Sequence, residues 1–497
     1  MLLKHLDTLL ASFLGMAAVI YLTQHGGLGI SPDSIYYISA AHSVREGHGF
    51  MQFDDKPFVL FPLVYPSFLV LVEFICNRDI VVVAPYLNAC LFGLTIFFAG
   101  AMLEKMNLRK GVKWVLLALI ALSPSLLEIY TMLWSETLFI TEIILFIWVC
   151  FYYFKSSTTK NLILLAVISA IAADTRLAGV TVIATGCLLI LLSHDKKGWA
   201  KWKHIIVYSI ISSSLLAINL LRNFLVATSF TGARQKGDTA FLTHVKYFGE
   251  VMGDWLLFSS IPHFNALGLG LVFILLIASI FIYRYLKNKE HNSFEKIAAC
   301  FTLVYSLFML LSATFSKYET INNRLLAPFF IPLLFTIGFY TISFIQWVKQ
   351  PQWKYIFIGL FAFAGLFSVY SYYKGVEAMQ AENKEGGIGG YGDDDWVYSD
   401  LLVALKKDGN YFNQGIPVYA NASHAVYFFT KRHLAILPET KHTEDLQKFY
   451  HMPQNILIWL NNEDNPSIDS LEEIKKHKNL TVLKQFKDGF IFLCTPK

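Results

Sequence analysis

Apolar runs close to 20 residues long recur along most of this 497-residue chain, and that recurrence limits the fold more than any motif does. Only 15% of the residues are charged, against roughly a quarter in a soluble domain, and mean hydropathy is +0.48. The pattern predicts an all-α polytopic membrane bundle. Expected spans are about 9–22, 80–103, 114–127, 136–154, 161–173, 176–193, 204–226, 263–286, 296–315, 325–348 and 354–373, about eleven in all. With the N-terminus in the cytoplasm, every short basic connection falls on the inner side: Lys105 to Lys113, Lys155 and Lys160, Lys196 to Lys203, Arg284 to Lys296, and Lys349 with Lys354. That sidedness holds only if the short apolar stretch 61–76, which begins with Pro62 and Pro66, does not cross. It is expected as an outer juxtamembrane or re-entrant helix. The outer side then collects Asp33, Asp54, Asp55, Glu128, Glu136, Asp174, Asp238, Glu250, Asp254 and Glu319.

The transmembrane region is expected over 1–373, with a first outer loop at 25–79 and a second long outer loop at about 227–262 that includes Arg234 and a short helix near 239–255. The run at 9–22 has no small-residue cleavage site after it and is expected as an uncleaved first span. The glycines and aspartates of 374–395 mark a linker. Residues 396–497 suit a small soluble α/β domain on the outer side. Its expected strands are 417–420, 455–460, 480–486 and 490–494, and its expected helices 396–407, 444–450 and 467–476. The net charge of +5 is no nucleic-acid signature, because the basic residues of the apolar region sit in orientation loops. The six cysteines show no disulfide or metal-type spacing.

The stretch from Ser31 to Pro66 has a composition a buried core has little use for. Ser31-Pro32-Asp33 reads as a helix start: Ser31 caps, Pro32 fits the first position, and Asp33 suits the positive end of the dipole. The helix should run from about Asp33 to Glu46 and stop at Gly47. Tyr37, Ile38, Ala41 and Val44 would share one face and Ser39, His42, Ser43 and Glu46 the other, as in an interfacial amphipathic helix. Asp33 is then either a dipole-matching residue or a reaction-centre acid.

A charge at membrane depth costs about 2.5–3.5 kcal/mol at the centre of a span, so clusters at span ends need a reason. Ser135-Glu136 is either a dipole-friendly helix start or an acid that shapes a site. Asp174-Thr175-Arg176 is either a local ion pair in a tight turn or a phosphate ligand through Arg176. Arg222-Asn223 reads as snorkelling to the interface. Tyr318-Glu319 and Asn322-Asn323-Arg324 lead into an apolar run with Glu319 as the local acid. Arginine there suits bidentate phosphate binding. The outer histidines His42, His48, His244 and His263 show no metal-ligand spacing.

Taken together these pieces resemble the GT-C superfamily of polyprenyl-phosphate-sugar glycosyltransferases, in particular the protein O-mannosyltransferases and the lipid A aminoarabinose transferase. The matching pieces are Pro32-Asp33-Ser34 through Gly47-His48-Gly49-Phe50; Lys56-Pro57 with Pro62-Leu63-Val64-Tyr65-Pro66; Leu133-Trp134-Ser135-Glu136-Thr137-Leu138-Phe139; Thr175-Arg176-Leu177-Ala178-Gly179; and Asn323-Arg324-Leu325-Leu326-Ala327-Pro328. The resemblance covers about 1–373. Two departures stand out: Ser34 follows the acid where mannosyltransferases often carry Glu, and Phe58 follows Lys56-Pro57 where the family has a second proline.

The resemblance implies transfer of a hexosyl or pentosyl group from a polyprenyl-phosphate-linked donor to a hydroxyl of a lipid, glycan or protein acceptor, with inversion. It implies Asp33 as general base, Arg324 with Arg176 or Arg222 on the donor phosphate, and Glu136, Tyr36, Tyr37, Lys56 and Tyr65 as residues that shape the site. The residues assign no cofactor with certainty, and a divalent cation held by the outer acids stays open. The implied location is a bacterial inner membrane, with the active site and the C-terminal domain extracytoplasmic. Two rivals remain on the residues alone. A transporter or flippase of a lipid-linked solute would place acids at mid-span. A receptor or scaffold would work through the C-terminal domain.

Overall fold

The computed structural model describes residues 5–106, 108–232, 235–257, 264–287, 291–317, 319–412, 415–463 and 465–497. The chain divides into two compact units. The larger comprises residues 1–24, 59–65 and 83–381, and the smaller comprises 25–58, 66–82 and 382–497.

Each of the eleven expected apolar segments is helical. By length and composition seven of the described helices can cross a membrane: Ile80–Lys105, Glu136–Lys155, Gly198–Ala227, Ala266–Lys287, Phe294–Phe315, Asn323–Trp347 and Pro351–Gly386. Lys110–Ala121 and Pro124–Tyr130 form an eighth if they are one span bent by 45°. The bend has a local cause. Pro124 cannot continue the first helix, and Ser123 caps the second by accepting from Leu126 N at 3.3 Å. The expected count of about eleven therefore becomes seven or eight on this criterion. Leu6–Leu22, Thr159–Thr175 and the apolar stretch Leu177–Leu192 fall short of 18 residues. The outer-loop helix expected near 239–255 forms as Phe241–Trp255, while Arg234 and His263 lie outside the described residues.

In the larger unit, Thr159–Thr175 turns directly into the helical stretch from Leu177. Gly179 permits this corner, since a Cβ there would collide with the carbonyl of Ala172. Trp255 ties three further segments together. Its indole N–H lies 2.8 Å from Ser125 Oγ and 3.0 Å from Asn323 Oδ1, and its carbonyl accepts from Tyr372 OH at 3.0 Å. Buried polar atoms bonded in this way fix helix register without leaving a donor stranded.

The smaller unit is built on a five-stranded mixed sheet. Its strands are β1 (Val418–Ala420), β2 (Ala435–Ile436), β3 (Asn455–Leu460), β4 (Lys478–Phe486) and β5 (Gly489–Pro496), in the order β2-β1-β3-β5-β4. β1 runs parallel to β2 and β3, and β5 runs antiparallel to β3 and β4. Leu437, Phe449, Leu457, Ile474, Phe492 and Cys494 form its apolar core. Lys478 is buried there because its ammonium serves the end of a helix: Nζ donates to the carbonyls of Phe449 at 2.8 Å and Met452 at 3.1 Å. Strand β2 and the helix Ser423–Thr430 were not expected, and the expected helix 396–407 is two, Asp394–Val397 and Asp400–Lys407. Residues 374–386 of the glycine-rich stretch continue the helix Pro351–Gly386.

Helix Pro32–Arg45 belongs to the smaller unit and starts where expected. Ser31 and Ser34 form a reciprocal capping box, with Ser31 N donating to Ser34 Oγ at 3.0 Å. The departure from the mannosyltransferase pattern at Ser34 thus falls on a capping residue. The chain leaves the helix through Gly47 and Gly49, both at positive φ. The division into an apolar and a polar face expected for this helix is not what the structure has. Ile35, Tyr37, Ile38 and Ala41 are buried, and so are Ser39 and Ser43 on the face expected to be polar. Small hydroxyls bonded to their own helix backbone, such as Ser39 Oγ to the Tyr36 carbonyl at 3.1 Å, can be packed at little cost. Helix Val64–Cys76 has 13 residues. At about 1.5 Å per residue that is roughly 20 Å, too short for a hydrocarbon core of about 30 Å.

Candidate active site

The larger unit gathers three of the expected site residues around one carboxylate. Glu136 opens the helix Glu136–Lys155 and is fully buried. Arg324 Nε lies 2.6 Å from Glu136 Oε1, although 188 residues separate them. Arg176 Nη1 meets Glu136 Oε2 and donates to Ser135 Oγ at 2.8 Å. The Arg324 guanidinium also stacks 4.1 Å above the centre of the Trp134 ring, and its Nη1 lies 3.4 Å from Glu319 Oε1. Buried charges persist only when paired, and each guanidinium here has a carboxylate partner. One buried carboxylate thus holds two guanidiniums in a fixed relation. The planar fork of arginine suits the oxygens of a phosphate.

Local sequence explains each placement. Arg176 is held by the tight corner that Gly179 allows. Asn322 caps the short helix Asn323–Leu326 by accepting from Leu325 N at 3.0 Å, which fixes Arg324 one residue into it. The local Asp174–Arg176 ion pair is replaced by two longer-range arrangements. Asp174 Oδ1 accepts from Asn219 Nδ2 at 2.9 Å, while Arg176 reaches to Ser135 and Glu136. Trp134 and Ser135 complete the cluster. In the sequence Ser135 reads as a helix start beside Glu136, and Trp134 carries no signal beyond its motif. Arg222 is not part of it: Nη1 lies 3.0 Å from Asn223 Oδ1, and Asn223 Nδ2 in turn donates to the Val59 and Phe230 carbonyls. Tyr65 is buried. Tyr318 lies outside the described residues.

Asp33, Tyr36, Tyr37 and Lys56 all lie in the smaller unit. Asp33 occupies the first turn of its helix and is partly exposed. Tyr36, less than one turn on, has its ring centre 5.6 Å from Phe53 and 5.2 Å from His424. Burial, with the Asp54, Asp33 and Glu439 carboxylates around it, pushes the Tyr36 phenol up, so it stays a neutral donor. Tyr37 is buried, its ring 6.5 Å from Phe58. Lys56 is exposed on a tight loop, 3.1 Å from Asp54 Oδ2, and Gln52 closes that loop by donating to Lys56 O at 2.8 Å. A polar cavity of about 160 Å³ begins at Pro32 and is lined by Tyr391, Asn421, Ser423, His424 and Glu463. His424 Nε2 has no hydrogen-bond partner among the described residues, and burial pushes the imidazole down to about 4, so it is neutral near pH 7.

No family model and no curated protein matches this sequence. Solved structures do match its fold. ArnT from Cupriavidus metallidurans in the apo state is 11% identical, with 98% of this chain and 97% of that chain covered and a TM-score of 0.50. The archaeal oligosaccharyltransferase AglB from Archaeoglobus fulgidus, in complex with an inhibitory peptide and a dolichol-phosphate, is 11% identical. The match covers 98% of this chain and 74% of that one, with a TM-score of 0.54. A variant of the arabinofuranosyltransferase AftD from Mycobacteria is 13% identical over 99% of this chain and 41% of that one, with a TM-score of 0.50. These likenesses run nearly the whole length of the chain, through helical segments and C-terminal sheet alike. The chain has the fold of the GT-C membrane glycosyltransferases.

Proposed function

We propose that this protein is an integral membrane glycosyltransferase that moves a sugar from a polyprenyl-phosphate donor to a hydroxyl of a lipid, glycan or protein acceptor. The observation that carries the reading is the pair of guanidiniums, Arg324 and Arg176, held by buried Glu136 in a chain of this fold. AglB of the same fold was solved with a dolichol-phosphate, a ligand of the same chemical class as the proposed donor. In the proposed reaction the acceptor oxygen attacks the anomeric carbon while Asp33 takes its proton. The bond from that carbon to the phosphate oxygen breaks, and polyprenyl phosphate leaves with the electron pair. One displacement inverts the anomeric centre. Arg324 and Arg176 stabilise the charge that grows on the leaving phosphate, and Glu136 keeps them pre-organised. The reading puts Asp33 and the C-terminal sheet outside a bacterial inner membrane, and the one-sided distribution of the basic loops supports that sidedness.

The transporter reading has one observation in its favour, an acid inside a span. Glu142 is buried within Glu136–Lys155 and accepts from Thr175 Oγ1 at 2.8 Å. That bond ties two neighbouring helices, a structural role that needs no solute. Binding of tritiated polyprenyl phosphate to the purified chain in detergent tests the proposal. Saturable binding that weakens at least tenfold in Arg324→Ala is expected. Binding unchanged in Arg324→Ala and in Arg176→Ala would remove the phosphate site from the reading.

A further inference from the structure

The smaller unit holds a second cluster of titratable groups that the proposed reaction does not use. His42 lies in the third turn of Pro32–Arg45, Glu73 near the end of Val64–Cys76, and Asp79 just before Ile80–Lys105. His42 Nε2 is 3.5 Å from Glu73 Oε1 and 3.5 Å from Asp79 Oδ2, and the three atoms lie within 4.8 Å of one another.

Both carboxylates are fixed by backbone bonds. Glu73 Oε1 accepts from Ile80 N at 2.8 Å, and Asp79 Oδ1 accepts from Val81 N at 2.8 Å. Glu73 is fully buried, yet its Oε2 has no hydrogen-bond partner among the described residues. Leaving such an oxygen unsatisfied is costly, on the order of 1–3 kcal/mol or more. The imidazole contact, which is to Oε1, is not a tight hydrogen bond either, because a charge-assisted N–H···O bond closes to about 2.7–2.9 Å. A separation of 3.5 Å has another meaning. Ligand atoms held about 2.0–2.2 Å from a tetrahedral ion lie roughly 3.3–3.6 Å apart. On its other side His42 Nδ1 lies 3.5 Å from Tyr427 OH, a partner the ring could hold once Nε2 is ligated. Lys431 Nζ lies 3.8 Å from Asp79 Oδ2 and offsets one of the two carboxylate charges, leaving one for a cation.

We propose that His42, Glu73 and Asp79 bind a divalent transition-metal ion of the zinc type, which clips together three segments of the smaller unit. A nitrogen with two carboxylate oxygens is a donor set that zinc accepts. The site is structural rather than catalytic. His42 stands nine residues along the same helix from Asp33, roughly 13 Å at about 1.5 Å per residue. The clip would therefore hold one end of the helix that carries the proposed base at its other end.

Metal content tests this independently of activity. The full chain, purified in detergent, is stripped with EDTA, reloaded with Zn²⁺ or with Mn²⁺, desalted and analysed by mass spectrometry for metal. About one zinc per chain is expected. It should be lost in His42→Ala and Glu73→Gln and retained in Asp33→Asn. Zinc affinity should fall about tenfold in Tyr427→Phe, which removes only the hydroxyl behind the imidazole. Elution volume and thermal unfolding identify any variant that fails to fold, in which case Asp79→Asn and Tyr427→Phe decide. Neither metal retained by the wild type, or zinc retained equally by the folded variants, would overturn the site.

Discussion

Glu136 and Glu73 are both fully buried carboxylates with basic neighbours, and the two regions use them in opposite ways. Around Glu136 the charges have closed on one another, with Arg324 at 2.6 Å and Arg176 in direct contact. Around Glu73 they have not: His42 stands 3.5 Å from Oε1, and Oε2 has no partner among the described residues. The first acid is satisfied by cations, so its effect is to position their guanidinium forks. The second acid is held by backbone and under-satisfied, so what it can attract is a cation. Distance and hydrogen-bond accounting, rather than residue type, separate the two.

The largest contrast should appear when each acid is neutralised. Glu136→Gln removes the carboxylate that two largely buried guanidiniums share, leaving Arg324 its longer contact to Glu319, and should cost about 3–5 kcal/mol, read by thermal unfolding in detergent. Glu73→Gln in metal-free protein should cost less than about 1 kcal/mol, because the amide keeps an acceptor for Ile80 N and removes an unsatisfied charge. Equal losses would break the comparison.

A pH scan sharpens it from the side of the smaller unit. His424 has a folded value of about 4, below the ordinary 6.5. As pH falls, the unfolded chain takes up this proton first, so stability should drop between about pH 6.5 and 4 and level off below. The loss is on the order of 3 kcal/mol. His424→Phe should flatten that slope. A smaller effect is expected from Arg324→Lys, which keeps the charge but loses the fork and the stacking on Trp134. Polyprenyl phosphate should bind it about tenfold more weakly, measured by radioligand binding.

The apolar runs were legible because a span needs a long stretch without charge, and all eleven segments are helical. The start of Pro32–Arg45 was legible because capping is local chemistry, written in Ser31, Pro32 and Ser34. The two-sided burial of that helix was not, since Ser39 and Ser43 look polar until their packing is known. Helix Ser423–Thr430 was hidden by a run of β-branched and aromatic residues that suits a strand equally well. For the site, Arg324 and Glu136 each stood out as charges at a span end. Nothing in a single sequence pairs residues 188 apart. Glu73 and Asp79 passed unnoticed. The signal was present in Glu73, a lone acid in an otherwise apolar helix, but its partners come from two other segments.

Turnover of lipid-linked sugar tests the central claim most directly. Membranes containing the chain are incubated with a panel of radiolabelled polyprenyl-phosphate hexoses and pentoses, and released polyprenyl phosphate and labelled acceptor are measured together. The account predicts that the wild type transfers at least one of these sugars and that Asp33→Asn, present at the same level, is slower by at least about a hundredfold. Wild-type membranes that release no polyprenyl phosphate from any donor, or an Asp33→Asn protein that turns over as fast as wild type, would contradict it.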